Sequence, residues 1–539
     1  MKNFWSENKK KVLAIILIIL SGILFFSYNI TTTWDSSEYL GLADYIGTNE
    51  MKTNWIKHRG IAFPLLLKLL KPFGIENKFF ILIGMYIFYL WMIFTIYKMY
   101  EKLKELGVFK NRILKFVFVI YTLVFAILNP MIFGYYHTVL TEFVAITISL
   151  FTCYLSWLWI ENSWAENKKY TCIYTIIFSI LTIFLYHIKQ SLVPLTLIPI
   201  IISAFISIVN KPNKTNILSK VITSLIVLIT LVLSVNIWNF SMRDADVAES
   251  TNDIRVKDRL IYGITTLKKI CDESNIQEKD IDRSKLDSKD NEEIDKILSD
   301  ESNYKHFRIY KTTMNSKYLV YFTKQEGSFK DQLKFHFKVL INSPMDIVKS
   351  YYDGYYKIIF IAKNYPLEYA YENTIIPTKI YIKDENVVDV NEEYQQYIEN
   401  YKTINQMNFV ASIFNKYVKH VINMVTIITK FSLWLTPLMG GIAFIIYLIF
   451  NKKISENKLK TLQLVIILYI TSFGGIMAYI VFGTTVDRYV VPMIIQAFIA
   501  HFLFIVLGIY YVKNICDKIR DKNARNSSQK EKARKKYWQ

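Results

Sequence analysis

Cysteine is scarce in this chain: four in 539 residues (Cys153, Cys172, Cys271 and Cys516), none of them in a CxxC pair. A disulfide framework and a cysteine-rich zinc site are thereby excluded. No glycine-rich nucleotide loop, P-loop or nucleophile elbow occurs, so no motif announces a nucleotide fold or a serine hydrolase. His306, His336 and His420 stand apart, without the spacing of zinc ligands. Acidic residues are also short, 45 Asp+Glu against 65 Lys+Arg, for a formal net charge of +20. On a folded soluble face that surplus would point to nucleic acid. Here it lies in short segments between apolar runs and in the tail 513–539. Anionic lipid headgroups are its natural counterpart, and no nucleic-acid partner is expected.

Apolar residues are plentiful: 52% of the chain is hydrophobic and 16% aromatic. A bilayer core of ~30 Å takes about 20 helical residues to cross. Ten stretches qualify: 12–30, 79–98, 113–132, 140–160, 172–188, 192–209, 220–239, 430–450, 461–482 and 489–512. The first follows Lys9-Lys10-Lys11 like a signal peptide, but its apolar core is long and no small-residue cleavage site follows, so an uncleaved span is expected. Between the seventh and eighth stretches lies a polar block, 240–405, with 25 of the basic and 29 of the acidic residues; the rest keeps 40 and 16, a net of +24. Short cytoplasmic loops retain Lys and Arg, whereas long loops translocate largely regardless of charge. With the N-terminus inside, every cytoplasmic gap is basic, carrying Lys102, Lys104, Lys110 and Arg112; Lys168 and Lys169; Lys211 and Lys214; or Lys452, Lys453, Lys458 and Lys460.

The expected fold is an all-α polytopic protein of the cytoplasmic membrane with about ten transmembrane helices and both termini cytoplasmic. A mixed, mainly helical extracytoplasmic domain is inserted between helices seven and eight. The parts are a seven-span module 1–239 with its first outer loop 31–78, the block 240–429, a three-span module 430–512 and the basic tail 513–539. Within the block, 257–273, 290–301 and 330–362 have a helical pattern and 375–388 a β-like one. In 407–429, Val410, Phe414, Tyr417, Val421, Val425 and Ile428 recur at helical spacing with Lys416, Lys419 and His420 between them. That predicts an amphipathic helix lying at the interface. Ile61–Leu70 is apolar but half a span long, which fits a re-entrant or juxtamembrane helix.

Candidate chemistry gathers on the outer face. The first loop carries Trp34-Asp35-Ser36-Ser37-Glu38-Tyr39 and then Lys57-His58-Arg59-Gly60. A partly desolvated carboxylate at position 35 can act as a general base or bind a divalent cation, with Mg2+ or Mn2+ the candidate ions. Lys57, His58 and Arg59 supply cationic donors, and Arg grips phosphate in bidentate fashion. The competing reading has Asp35 capping helix 36–46, with Glu38 three residues on as in a capping box, and the basic trio touching headgroups. Glu142 opens the fourth span, where a carboxylate is costly and marks a functional position unless it serves the helix N-terminus. Lys189 and Arg488 stand in short outer turns; each alone reads as a snorkelling anchor, and together they read as an anion site. The tyrosines Tyr351, Tyr352, Tyr355, Tyr356, Tyr365, Tyr369 and Tyr371 suit interfacial anchoring better than sugar stacking.

In order along one membrane face, WDSSEYLGLADYI with Asp35, RGIAFPLLL, HTVLTE with Glu142, KQSLVP and DRYVVP resemble the C-type (GT-C) superfamily of integral-membrane glycosyltransferases. The chain is most similar to the branch of protein O-mannosyltransferases and the lipid A aminoarabinose transferase. Ile341-Asn342-Ser343-Pro344-Met345 adds a further likeness. The resemblance implies a polyprenyl-phosphate-linked sugar donor, transfer with inversion to a lipid, polymer or protein acceptor of the cell envelope, and a metal in some branches. Carried over, Asp35 is the base or metal-side carboxylate, Glu142 the second acid, and Arg59, Lys189 and Arg488 hold the lipid phosphate. Two features depart from the branch: the adjacent Asp-Glu dyad is absent, and the soluble block interrupts the spans rather than following them. A lipid-linked glycan ligase or polymerase is the rival enzyme reading, with its catalytic residues in 240–405. A transporter or flippase is the non-enzyme reading; Gly440-Gly441 and Gly474-Gly475 interrupt two spans without half-to-half symmetry.

Overall fold

The computed structural model describes residues 15–28, 30, 34–55, 59–70, 79–109, 111–161, 168–210, 214–242, 307–311, 318–322, 352, 354–361, 379–381, 387–389, 408–452, 454–481 and 487–537. Helices dominate: α1 (Ile15–Phe25), α2 (Trp34–Tyr45), α3 (Met51–Asn54), α4 (Ala62–Leu70), α5 (Phe79–Glu105), α6 (Arg112–Thr122), α7 (Pro130–Tyr135), α8 (Glu142–Trp159), α9 (Lys168–Ile188), α10 (Pro194–Asn210), α11 (Lys214–Ser241), α12 (Asn408–Phe450), α13 (Glu456–Val481) and α14 (Val491–Tyr537). Eight of them, α5 and α8 through α14, are long and apolar enough to cross a membrane. This is the architecture of an all-α polytopic membrane protein: a helix satisfies every backbone polar group within its own segment, as hydrocarbon demands. Four short strands make two antiparallel pairs, β1 (Phe307–Lys311) with β2 (Tyr318–Phe322), and β3 (Lys379–Tyr381) with β4 (Val387–Asp389). The second pair falls on the expected β-like run. The expected helices 257–273 and 290–301, and most of 330–362, lie outside the described residues.

Two expectations change. Residues 113–132 do not form one span. Helix α6 widens into a π-helical turn, Leu123–Ile127, and ends before Asn129-Pro130. Pro130 offers no N–H to continue the ladder. Asn129 accepts from Met131 N–H (3.0 Å) and donates to Phe125 O and Thr429 Oγ1 (3.1 Å each), so it caps α7 while tying it to α12. Residues 407–429 are likewise not a separate interfacial helix, because they run without a break into the following span as α12, 43 residues long. No glycine or proline interrupts the sequence before Pro437.

Helices α8, α13 and α14 are the most enclosed, and α11 is the least, with 17% of its apolar window buried against 78% for α8. Glycines let the central helices approach closely, as membrane packing requires. A Cβ on Gly474 would come 2.6 Å from Ile198 of α10; one on Gly475 would meet Met493 of α14 at 2.6 Å and Leu195 at 2.7 Å. One end of the bundle is closed by Trp157 donating to Lys460 O (2.8 Å), Lys460 paired with Glu161 (2.7 Å), and Tyr447 donating to Asn210 (2.6 Å). The opposite end carries the loops between α1 and α4, α7 and α8, α9 and α10, and α13 and α14.

Candidate functional site

Helix α2 lies across that second end. Its Ser36 hydroxyl donates to Val139 O (2.8 Å), in the loop that leads to Glu142, and its own Tyr39, Leu40, Leu42 and Ala43 are buried. Trp34 is already helical, which places Asp35 within α2 and not at its cap. Glu38 does not close a capping box either, because its carboxylate is taken. Arg59 Nε and Nη2 donate to its two oxygens at 2.7 and 2.6 Å, and Nη1 donates to Tyr39 OH at 3.0 Å. The pair is largely enclosed, with side-chain exposures of 13% for Arg59 and 23% for Glu38. Arg59 was expected to grip a phosphate, but here its fork is engaged by a carboxylate of its own loop. Trp55, fully buried, donates to Arg59 O (2.9 Å) and packs edge-on to Trp238 at the end of α11.

Gly60 carries this loop to α9. A Cβ there would sit 2.1 Å from His187 O, so only glycine lets the two backbones meet. His187 donates or accepts at Ser234 Oγ (2.7 Å) and meets the edge of Trp238, closing the same corner. Two residues on, Lys189 has an extended backbone held on both sides: its N–H donates to Leu185 O (2.9 Å) and its carbonyl accepts from Leu192 N–H (2.9 Å). Its ammonium lies 3.9 Å from the centre of the Tyr489 ring, and Tyr489 stacks on Tyr479 with centroids 4.6 Å apart and planes 4° from parallel. Tyr489 follows Arg488 in the short 3-10 helix Asp487–Val490, so the turns bearing Lys189 and Arg488 adjoin.

Glu142 opens α8 and is 2% exposed; Thr141 Oγ1 donates to it at 3.3 Å. The preceding loop is fixed by His137, whose ring nitrogens face Phe133 O (2.8 Å) and Phe25 O (2.9 Å) inside a cage of Phe25, Tyr28 and Phe133. Burial pushes the His137 pKa down to about 4, against the upward pull of the two carbonyls.

The contacts chain together as α2 to the Glu142 loop, α2 to Arg59, Gly60 to α9, and Lys189 to Tyr489. Segments bearing Asp35, Arg59, Glu142, Lys189 and Arg488 therefore share one end of the bundle. The side chains of Asp35 and Arg488, and all of Lys57 and His58, lie outside the described residues. Among the described residues no three His, Cys, Asp or Glu side chains converge as metal ligands. Beside the site, Tyr352, Tyr356, Phe360, Ile427, Lys430, Phe431 and Trp434 line a lateral cleft of about 360 Å³. Tyr355 pins its wall by donating to Leu433 O (2.6 Å). Tyr355 is buried against α12, which is packing and not the interfacial anchoring expected of these tyrosines; Tyr351, Tyr365, Tyr369 and Tyr371 lie outside the described residues. Sequence reasoning missed the Glu38–Arg59 pair and the Tyr479–Tyr489 stack; Tyr489 stood inside the DRYVVP segment, but its partner Lys189 is 300 positions away.

Comparison with protein-family models, with curated proteins and with solved structures returned no match to this chain.

Proposed function

We propose that this chain is an extracytoplasmic glycosyltransferase that takes a sugar from a polyprenyl-phosphate-linked donor and passes it, with inversion, to a cell-envelope acceptor. The observation that carries the reading is the meeting of the Asp35 helix, buried Glu142 and Lys189 at one end of a membrane bundle, opposite the end that bears the basic loops. Positive charge is retained on the cytoplasmic side, which supports an outer location for the site. No nucleotide sugar reaches that compartment, so the donor must come through the lipid phase.

In this reaction Asp35 takes the proton of the acceptor hydroxyl, the oxygen attacks C1, and the C1–O bond to phosphate breaks. The phosphate leaves as an anion, so no general acid is needed; Lys189 and Arg488 face its charge. Arg59 acts indirectly, by ordering the loop through Glu38. Asp35 and Glu142 are the two carboxylates that would hold a divalent cation, which would compensate phosphate charge. Two carboxylates, with at most four oxygens, fall short of the six or more such ions take, leaving the balance to donor and water.

The test is Asp35→Asn, assayed by consumption of a polyprenyl-phosphate sugar in purified, folded protein. Loss of a general base lowers turnover by about 10²–10⁴. Wild-type turnover in a properly folded Asp35→Asn variant would end the assignment.

A further inference from the structure

The two cations described at this site are treated differently. Arg59 is neutralised by the Glu38 carboxylate. Lys189 rests on an aromatic face, and among the described residues no carboxylate stands within ion-pair distance of it. A ring quadrupole holds an ammonium in place without cancelling its charge. It also occupies only one side of the ammonium, leaving N–H donors free to turn elsewhere. A lysine serving as a membrane anchor would extend to the headgroups; this one folds onto a ring that is 7% exposed and backed by another that is 1% exposed.

We infer that Tyr489, braced by Tyr479, is a positioning residue that presents Lys189 to the departing phosphate of the donor. The inference rests on the glycosyltransferase reading for the identity of the anion, and names a device that reading does not contain. Rigidity is built in at three points: the Lys189 backbone is hydrogen-bonded on both sides, the ring stack is close to parallel, and Tyr489 sits in the short helix that leads into α14. The lysine needs little reordering when the anion arrives, which lowers the cost of binding.

The probe is farnesyl phosphate, titrated against the full-length protein in detergent. Lys189→Gln weakens its binding at least tenfold, and Lys189→Arg recovers part of the loss. Tyr489→Leu weakens binding about tenfold and raises donor KM with little change in kcat, whereas Tyr489→Phe, which keeps the ring, loses less than threefold. If Tyr489→Leu does not fold, mono-, di- and trifluorophenylalanine at 489 keep the shape and drain the ring, and affinity falls stepwise with each fluorine. Undiminished binding by Lys189→Gln would overturn the anion site itself. Weak binding by Lys189→Gln with full binding by Tyr489→Leu, or a flat fluorine series, would overturn the positioning role alone.

Discussion

At the scale of single residues, the Glu38–Arg59 pair decides which cation is left for substrate. Bidentate Arg–carboxylate contacts are among the stronger side-chain interactions, and this one is mostly shielded from water. Glu38→Ala leaves the guanidinium without its counter-charge and lowers stability by on the order of 2 kcal/mol. Arg59→Lys lowers it too, since an ammonium cannot span both oxygens. In a double-mutant cycle followed by thermal unfolding in detergent, the double variant loses less than the sum of the two. Additive losses would mean the pair does not couple, and a rise in donor KM for Arg59→Lys larger than for Lys189→Gln would restore Arg59 as a phosphate ligand. The scarcity of charge on one face was enough to single out Asp35, Arg59, Glu142 and Lys189. Partners were not legible: Glu38 lies 21 positions before Arg59, and local sequence spacing equally allowed a capping role that a helical Trp34 removes.

Among the elements, the meeting of Gly60 with α9 carries the first loop to Lys189. Gly60→Ala forces a Cβ to within 2.1 Å of a carbonyl that a folded helix end cannot withdraw, and should cost about 2–3 kcal/mol. Gly441→Ala is the control, because nothing lies within 4 Å of its added Cβ, and the change is neutral or slightly stabilising in a helix. Equal melting temperatures for the two variants would show that the loop does not rest on α9. Long apolar runs announced nearly every span, because hydrocarbon leaves the backbone one solution. The division at Asn129-Pro130 was hidden by averaging hydropathy across it, although Asn-Pro is a turn signal in its own right. The continuity of α12 was hidden for the opposite reason: a change from amphipathic to apolar character marks a change of surroundings and not a helix end.

For the whole molecule, alternation of ends is the claim on which the site depends. In a variant with its four cysteines replaced by serine, Thr48→Cys reacts with a membrane-impermeant maleimide on intact cells. Asn457→Cys, exposed at the other end, reacts only after permeabilisation. Reaction of both from one side, or in the reverse order, would separate the site from the compartment assigned to it. The 43 residues of α12 also make a helix about 65 Å long, roughly twice the hydrocarbon thickness. Crossing ~30 Å of hydrocarbon takes about 20 residues, so roughly half of the helix extends beyond that core. The chain arriving at Asn408 therefore joins the membrane through a rod whose height and phase are set by residue count: each added residue would lift the junction by about 1.5 Å and turn it by about 100°.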